Sequence, residues 1–196
     1  MKIIAAGFSG ALALVAAAIP CAAQNCPTAE TVTRGFTVEQ RGATQLEVQH
    51  VDETLVQTTL RSGKNVLMQS VLFQGLFELD HLEGGRRTTF RPTAYLAILF
   101  PLRANSQLSA EFEVDRAGQT RIVKHLLAVK DAARFDIGPC TFDIFNIDRS
   151  QVAGDGAPKF VHRELYAPLL KLVVAKEYKN ADGSVTRRQY NRIYWR

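Results

Sequence analysis

Leu108, Ala110, Phe112 and Val114 alternate with Gln107, Ser109, Glu111, Glu113 and Asp115. This period of two predicts a strand with one dry face and one wet face. Leu46 and Val48 alternate with Gln45, Glu47 and Gln49 in the same manner. Leu170, Leu172 and Val174 share a side opposite Lys171, whereas residues 66–79 are more uniformly apolar and predict a strand buried on both faces. Residues 94–102 form the longest apolar run after Ile19, too short to cross a bilayer. With Pro101 inside it, the run suits a buried strand or a short helix. Residues 124–135 have the composition of a short amphipathic helix, but Ile122 and Val123 continue a hairpin into them. A strand through Val129, followed by a connection, is the better reading.

Turn signals punctuate these segments. Arg41-Gly42-Ala43, Arg61-Ser62-Gly63-Lys64, Glu83-Gly84-Gly85-Arg86, Asp115-Arg116-Ala117-Gly118 and Asn180-Ala181-Asp182-Gly183 each join β-rich stretches. Residues 150–160, rich in Gly, Asp and Pro, form the clearest loop. Short strands at such spacing predict an antiparallel meander. Few helices are available to cover its dry face, so the sheet must curl around its own core. The expected fold is all-β with minor α: a single curved antiparallel sheet forming a partial or open β-barrel.

The N-terminus adds an address. Lys2 precedes an apolar stretch over residues 3–19, Pro20 ends it, and Cys21-Ala22-Ala23 leaves small residues at an exit site. That order is the pattern of a secretory signal peptide cleaved after Ala23. The stretch is short and broken by Gly7, Ser9 and Gly10, which argues against a permanent span. Residues 1–23 are therefore read as a signal peptide and residues 24–196 as one antiparallel β domain without a transmembrane segment, periplasmic or secreted. Lipidation at Cys21 is the alternative, but Ala18-Ile19-Pro20 is a poor run-up to a modified cysteine. Cys26 and Cys140 remain in the mature chain. In an oxidising compartment the simplest expectation is one disulfide between them. Two buried thiols or one reactive thiol are the alternatives, and residues 137–142 supply no activating base.

The net charge of +5 is unevenly placed: residues 171–196 carry seven basic and two acidic side chains. Lys176, Lys179, Arg187, Arg188 and Arg192 are interleaved with Tyr178, Tyr190, Tyr194 and Trp195. Such a hairpin could contact anionic envelope material, or pack its aromatics while its cations extend into solvent. Export removes nucleic acid as a partner. Arg86, Arg87 and Arg91 form a second small cationic group near a turn, readable as a guarded strand edge.

No local catalytic signature is present, so no catalytic residue is assigned. Glu78, Asp80, His81 and Glu83 are the densest set of potential metal ligands. On a regular strand Glu78 and Asp80 share a face with His81 opposite, too few convergent groups for a metal site. No metal and no cofactor is expected. His162-Arg163-Glu164 reads as a charged stretch beside a loop.

Gly138-Pro139-Cys140 leads into a strand; after a loop come residues 166–174, YAPLLKLVV, and then Asn180-Ala181-Asp182-Gly183-Ser184 before a final strand. This third of the chain resembles exported proteobacterial proteins with a curved antiparallel sheet, similar in layout to the lipoprotein-localisation carriers and related sensor domains. The resemblance implies a concave sheet face that binds acyl chains or lipoprotein, and it implies no catalytic residues. None of the carriers' ligand-binding positions maps onto this sequence.

The leading functional expectation is a non-enzymatic periplasmic binding or envelope-maintenance protein. A lipid-like or protein ligand would lie in an apolar concavity walled by Leu72, Phe73, Phe77, Phe112 and Phe142, chosen for size and strand position. Each of these could equally be ordinary core. The alternatives are an exported hydrolase with a site assembled from distant strands, marked by a pocket of shifted ionisable groups, and a structural partner-binding module that uses a sheet edge or the cationic hairpin. Oligomeric state is left open.

Overall fold

The computed structural model describes residues 26–40, 44–153 and 156–195. The expected signal peptide, Cys21 and the expected turn at residues 41–43 lie outside the described residues.

Thirteen strands form one antiparallel sheet. They are β1 (Phe36–Gln40), β2 (Thr44–His50), β3 (Leu55–Ser62), β4 (Asn65–Phe73), β5 (Phe77–Glu83), β6 (Arg86–Pro92) and β7 (Ser106–Arg116). Then follow β8 (Gln119–Ile137), β9 (Cys140–Ala153), β10 (Lys159–Ala167), β11 (Leu172–Lys179), β12 (Val185–Gln189) and β13 (Arg192–Trp195). Two single turns of 3-10 helix, Val32–Arg34 and Leu96–Leu99, are the helical content of the described residues. Neither is long and apolar enough to cross a membrane.

Neighbours in the sheet are neighbours in sequence from β1 to β12, with one exception. β13 crosses to the far edge and pairs with β1, Phe36 opposite Trp195. Only Tyr190 and Asn191 separate β12 from β13. The Tyr190 amide donates to Val174 O and the Asn191 amide to Glu39 O, so consecutive residues tie β11 to β1. The sheet thus curls until its two edges meet at a two-residue step, without pairing into a closed barrel.

Two apolar cores result. The first gathers Phe36, Val38, Leu46, Val48 and Val56 from β1–β3 with Ile137, Phe142, Ile144, Leu165 and Val174 from β8–β11. The second gathers Phe77, Phe112, Val114, Val123, Leu127, Ile147 and Tyr166. Leu165 belongs to the first core, whereas its neighbours Glu164 and Tyr166 turn to the other side. Successive side chains of a strand point to opposite faces. The β1–β3 end of the sheet therefore packs on the face of β9–β11 turned away from the second core. The Cys26–Cys140 disulfide (S–S 1.98 Å) fastens the segment before β1 to the start of β9, beside the first core.

Three expectations require correction. Residues 66–79 are two strands, not one: the chain reverses at Gln74-Gly75, and Val66 and Leu67 are exposed rather than buried. A glycine is required there because φ is +66° and a Cβ would fall 1.6 Å from Lys171 O. The strand through Val129 does not end in a connection; a bulge between Val129 and Ala132 carries β8 on to Ile137. Of the loop at residues 150–160 the first and last parts are strand, in β9 and β10. The apolar run at residues 94–102 contains the short 3-10 turn, and Leu96 and Leu102 cap the second core.

Candidate functional site

The concave face of β2–β11 lines a recess inside the curl. Its inner compartment, about 420 Å³, reaches from Leu46 and Thr58 across to Lys176 and Tyr190. An outer compartment of about 1100 Å³ opens toward the tips of the β5–β6, β7–β8 and β9–β10 hairpins. Glu78, His81, Phe90, His125 and Gln151 border both, so the two compartments adjoin. The opposite end is stoppered. The turn at residues 74–76 is held there by Tyr166, whose hydroxyl donates to Gln74 O at 2.6 Å, and by Arg149, which donates to Leu76 O at 3.0 Å. Phe100 packs edge-on against Phe73 and Phe77 beside it.

Arg149 and Glu164 form the inner wall's charged centre, at 5% and 3% exposure. Facing register on β9 and β10, with Ile147 opposite Glu164 and Arg149 opposite His162, puts all of them on the concave face. Arg149 Nε and Nη2 donate to Glu164 Oε2 at 3.0 and 2.8 Å, and its guanidinium lies 5.7 Å over the Phe77 ring. His162 Nε2 lies 2.9 Å from Glu164 Oε1, and Lys176 Nζ 3.7 Å from the same oxygen. Burial works to raise the Glu164 pKa. Arg149, the His162 hydrogen bond and Lys176 outweigh it and hold the carboxyl well below the usual carboxylate range.

Arg149 Nη1 donates to His125 Nδ1 at 3.0 Å, since a guanidinium cannot accept. Burial first, and the Arg149 charge second, push the His125 pKa down to about 4. The ring is therefore neutral at neutral pH, and its Nε2 carries the proton. Because a carboxylate only accepts, His162 uses Nε2–H toward Glu164. Its buried Nδ1 has no hydrogen-bond partner among the described residues.

A second polar cluster sits on the β4–β5 wall. Ser70 Oγ donates to Glu78 Oε1 at 2.7 Å and lies 3.2 Å from His81 Nδ1; that same nitrogen is 2.8 Å from Glu78 Oε1. An activated serine needs one imidazole nitrogen for its own proton and the other for the orienting acid. Here a single nitrogen meets both, and the serine proton is committed to the carboxylate. The arrangement is a shared hydrogen-bond node, not a nucleophile with its base. No group of three His, Cys, Asp or Glu side chains among the described residues is placed to hold a metal ion.

The expected split of Glu78 and Asp80 from His81 is corrected. β5 carries one extra residue against β4, since Val71 pairs with Asp80 but Leu72 with Glu78. The bulge flips the face, so Glu78 and His81 share the recess while Asp80 turns outward to Arg87 at 2.8 Å. His162 and Glu164, expected as a solvated stretch, are buried in the site. Arg149, at the centre, went unnoticed. Its one sequence signal is its position two and four residues after the apolar Ile147 and Phe145 on the same strand face.

Of the residues chosen as walls, Leu72, Phe77 and Phe112 line the inner compartment. Phe73 packs on Phe100 at the stoppered end, and Phe142 belongs to the first core. The C-terminal cations separate. Lys176 faces the recess and Arg188, its cross-strand partner, stacks on Tyr178. Arg187 pairs with Glu177 on the other face through Nε at 2.8 Å, Lys179 alternates to that face, and Arg192 opens β13 at the opposite edge of the sheet.

No family model and no curated protein matches the chain. Among solved structures it is similar to the hypothetical lipoprotein YmcC from Escherichia coli K12, at 7% sequence identity and a TM-score of 0.47, over 84% of this chain and 88% of that one.

Proposed function

We propose that this chain is an exported, non-enzymatic binding protein of the cell envelope, and that the concave side of its sheet holds the ligand. The observation that carries this reading is the pair of adjoining compartments between the turn at residues 74–76 and the hairpin tips, walled by strands and bordered by fixed polar groups. Binding sites combine a concave, partly apolar surface with a few oriented polar groups. Met68, Leu72 and Phe90 supply half-buried apolar surface, and His125 and Lys176 the oriented polar atoms. The disulfide supports an oxidising address, as does the signal-like N-terminus. A lipid or an envelope protein segment is the partner class this address offers.

Native mass spectrometry of the protein purified gently from envelope extracts tests the reading. The expected result is a bound species on the wild type that disappears in Gln151→Trp, which fills the space between the two compartments. A wild type that is always empty, or an adduct indifferent to Gln151→Trp, contradicts it.

A further inference from the structure

The arginines of β3–β10 fall into two groups. Arg61 pairs with Glu47 at 3.0 Å, Arg87 with Asp80, Arg91 with Glu113 at 3.3 Å, Arg134 with Asp143 at 3.7 Å and Arg163 with Asp148 at 2.7 Å. Buried Arg149 has Glu164. Arg86, Arg116 and Arg121 have no carboxylate within ion-pair distance among the described residues, and neither has Lys159. These four all line the outer compartment of the recess. Among the strands β3–β10 the arginines without a carboxylate partner thus gather at one mouth, while Arg188 on β12 and Arg192 on β13, also without one among the described residues, lie elsewhere.

The register explains their convergence. Arg116 faces Thr88 across β6–β7, two residues along from Arg86, and Arg121 faces Val114, two residues back from Arg116. Same-face residues at such diagonals lie within reach of long side chains. Lys159 approaches from β10, opposite Gln151, which in turn faces His125. Two carboxylates, Glu78 and Glu83, line the same compartment, so the four cations stay in excess there, and each nearby acid is turned to other partners. Glu78 is engaged by Ser70 and His81, Glu83 lies 3.6 Å from His81 Nε2, and Asp115 turns to Gly118 and Thr120 on its own hairpin.

Clustered like charges in a concave wall repel one another and focus a positive potential into the space they surround. Guanidinium groups present planar forks that match oxoanions. Resting on the reading of the recess as a ligand site, we propose that Arg86, Arg116, Arg121 and Lys159 grip a phosphate-type oxoanion at the mouth, carried on a lipid-like chain or as a free ion. Phe90, Val114 and Val123 line the wall just inside the cations, where an attached apolar chain would lie.

Calorimetric titration of the purified protein with dodecyl phosphate, inorganic phosphate and uncharged dodecyl maltoside tests this. The variants are Arg86→Gln/Arg116→Gln/Arg121→Gln combined, Arg134→Gln as a control for an arginine lost elsewhere, and Gln151→Trp. All three mouth arginines are exposed, so circular dichroism should show an unchanged fold. The proposal expects dodecyl phosphate to bind at least about tenfold more tightly than dodecyl maltoside, the triple variant to lose about tenfold or more, and Arg134→Gln to change little. Inorganic phosphate binding equally well, with the same dependence on the triple variant, assigns the site to the free ion. Equal binding of dodecyl maltoside, unaffected by the triple variant, overturns the oxoanion inference and leaves the recess reading intact. Phosphate binding lost in the triple variant but indifferent to Gln151→Trp keeps the mouth and sinks the recess. No binding of either phosphate probe overturns the proposal.

Discussion

The first core, between β1–β3 and the backs of β9–β11, is dry and fastened by a disulfide; the second surrounds buried charge and gives way to an open recess. The same strands serve both. Leu165 fills the first core while Glu164, one peptide away, anchors the second. Phe36, Val38, Ile137, Leu170 and Val174 in the first are completely buried and apolar, as close packing alone would select. An ion pair at 5% and 3% exposure is no economical way to stabilise a core, since burying charge costs solvation that hydrophobic residues do not lose. The buried pair lies on one side only, against the second core.

Substitutions should separate the two sides. The largest effect is expected from Glu164→Gln, which leaves Arg149 charged and buried. A loss of about 3–5 kcal/mol in urea unfolding is expected, against a far smaller loss for the paired replacement Arg149→Met/Glu164→Leu. Equal losses would mean that the pair stabilises the fold outright. Next comes the staple of the dry side. Cys26→Ser/Cys140→Ser should cost about 2–5 kcal/mol, because the bond spans 114 residues, while leaving ligand affinity unchanged. A change in affinity would show that the two cores are coupled.

pH acts on the charged side. His125 is neutral when folded, its pKa lowered from 6.5 to about 4, so the unfolded chain binds the extra proton in that interval. Stability from this group is complete above pH 6.5 and is lost as pH falls toward 4, with a slope of at most about 1.4 kcal/mol per pH unit. Glu164, also lowered, adds a loss that begins near its ordinary 4.5 and continues downward. Urea midpoints between pH 8 and 4 should therefore decline, and His125→Gln should lessen the slope above 4.5, leaving the part due to His50, whose pKa burial also lowers. The smallest effect is expected outside. Arg163→Gln breaks a half-exposed pair with Asp148 and should cost under about 1 kcal/mol, less in high salt.

The contrast between the two sides also marks what the chain announces in advance. The period of two in residues 107–115 becomes β7 with Ala110, Phe112 and Val114 buried, and four of the glycine turns fall between the strands they were read to join. Cys26 and Cys140 are bonded. Such features are local, or follow from compartment and parity. The recess is neither. One inserted residue in β5 moves His81 from one face to the other, and nothing in the string Phe77-Glu78-Leu79-Asp80 distinguishes a bulge from a regular strand. Arg149, Glu164 and His125 lie on three strands, and each is unremarkable until register brings it opposite the others. β13 departs from hairpin order altogether: the basic and aromatic residues around 176–195 look like one hairpin, yet the curl sends Arg192 and Tyr194 to the opposite edge.

A backbone-amide NMR titration with dodecyl phosphate tests the central claim most directly. The account predicts shifts confined to the lining of the recess, at Arg86, Arg116, Arg121, Val123, His125 and Gln151, with β12, β13 and the first core still. Shifts spread over β12 and β13 while the lining stays silent, or no shifts at all, would contradict it.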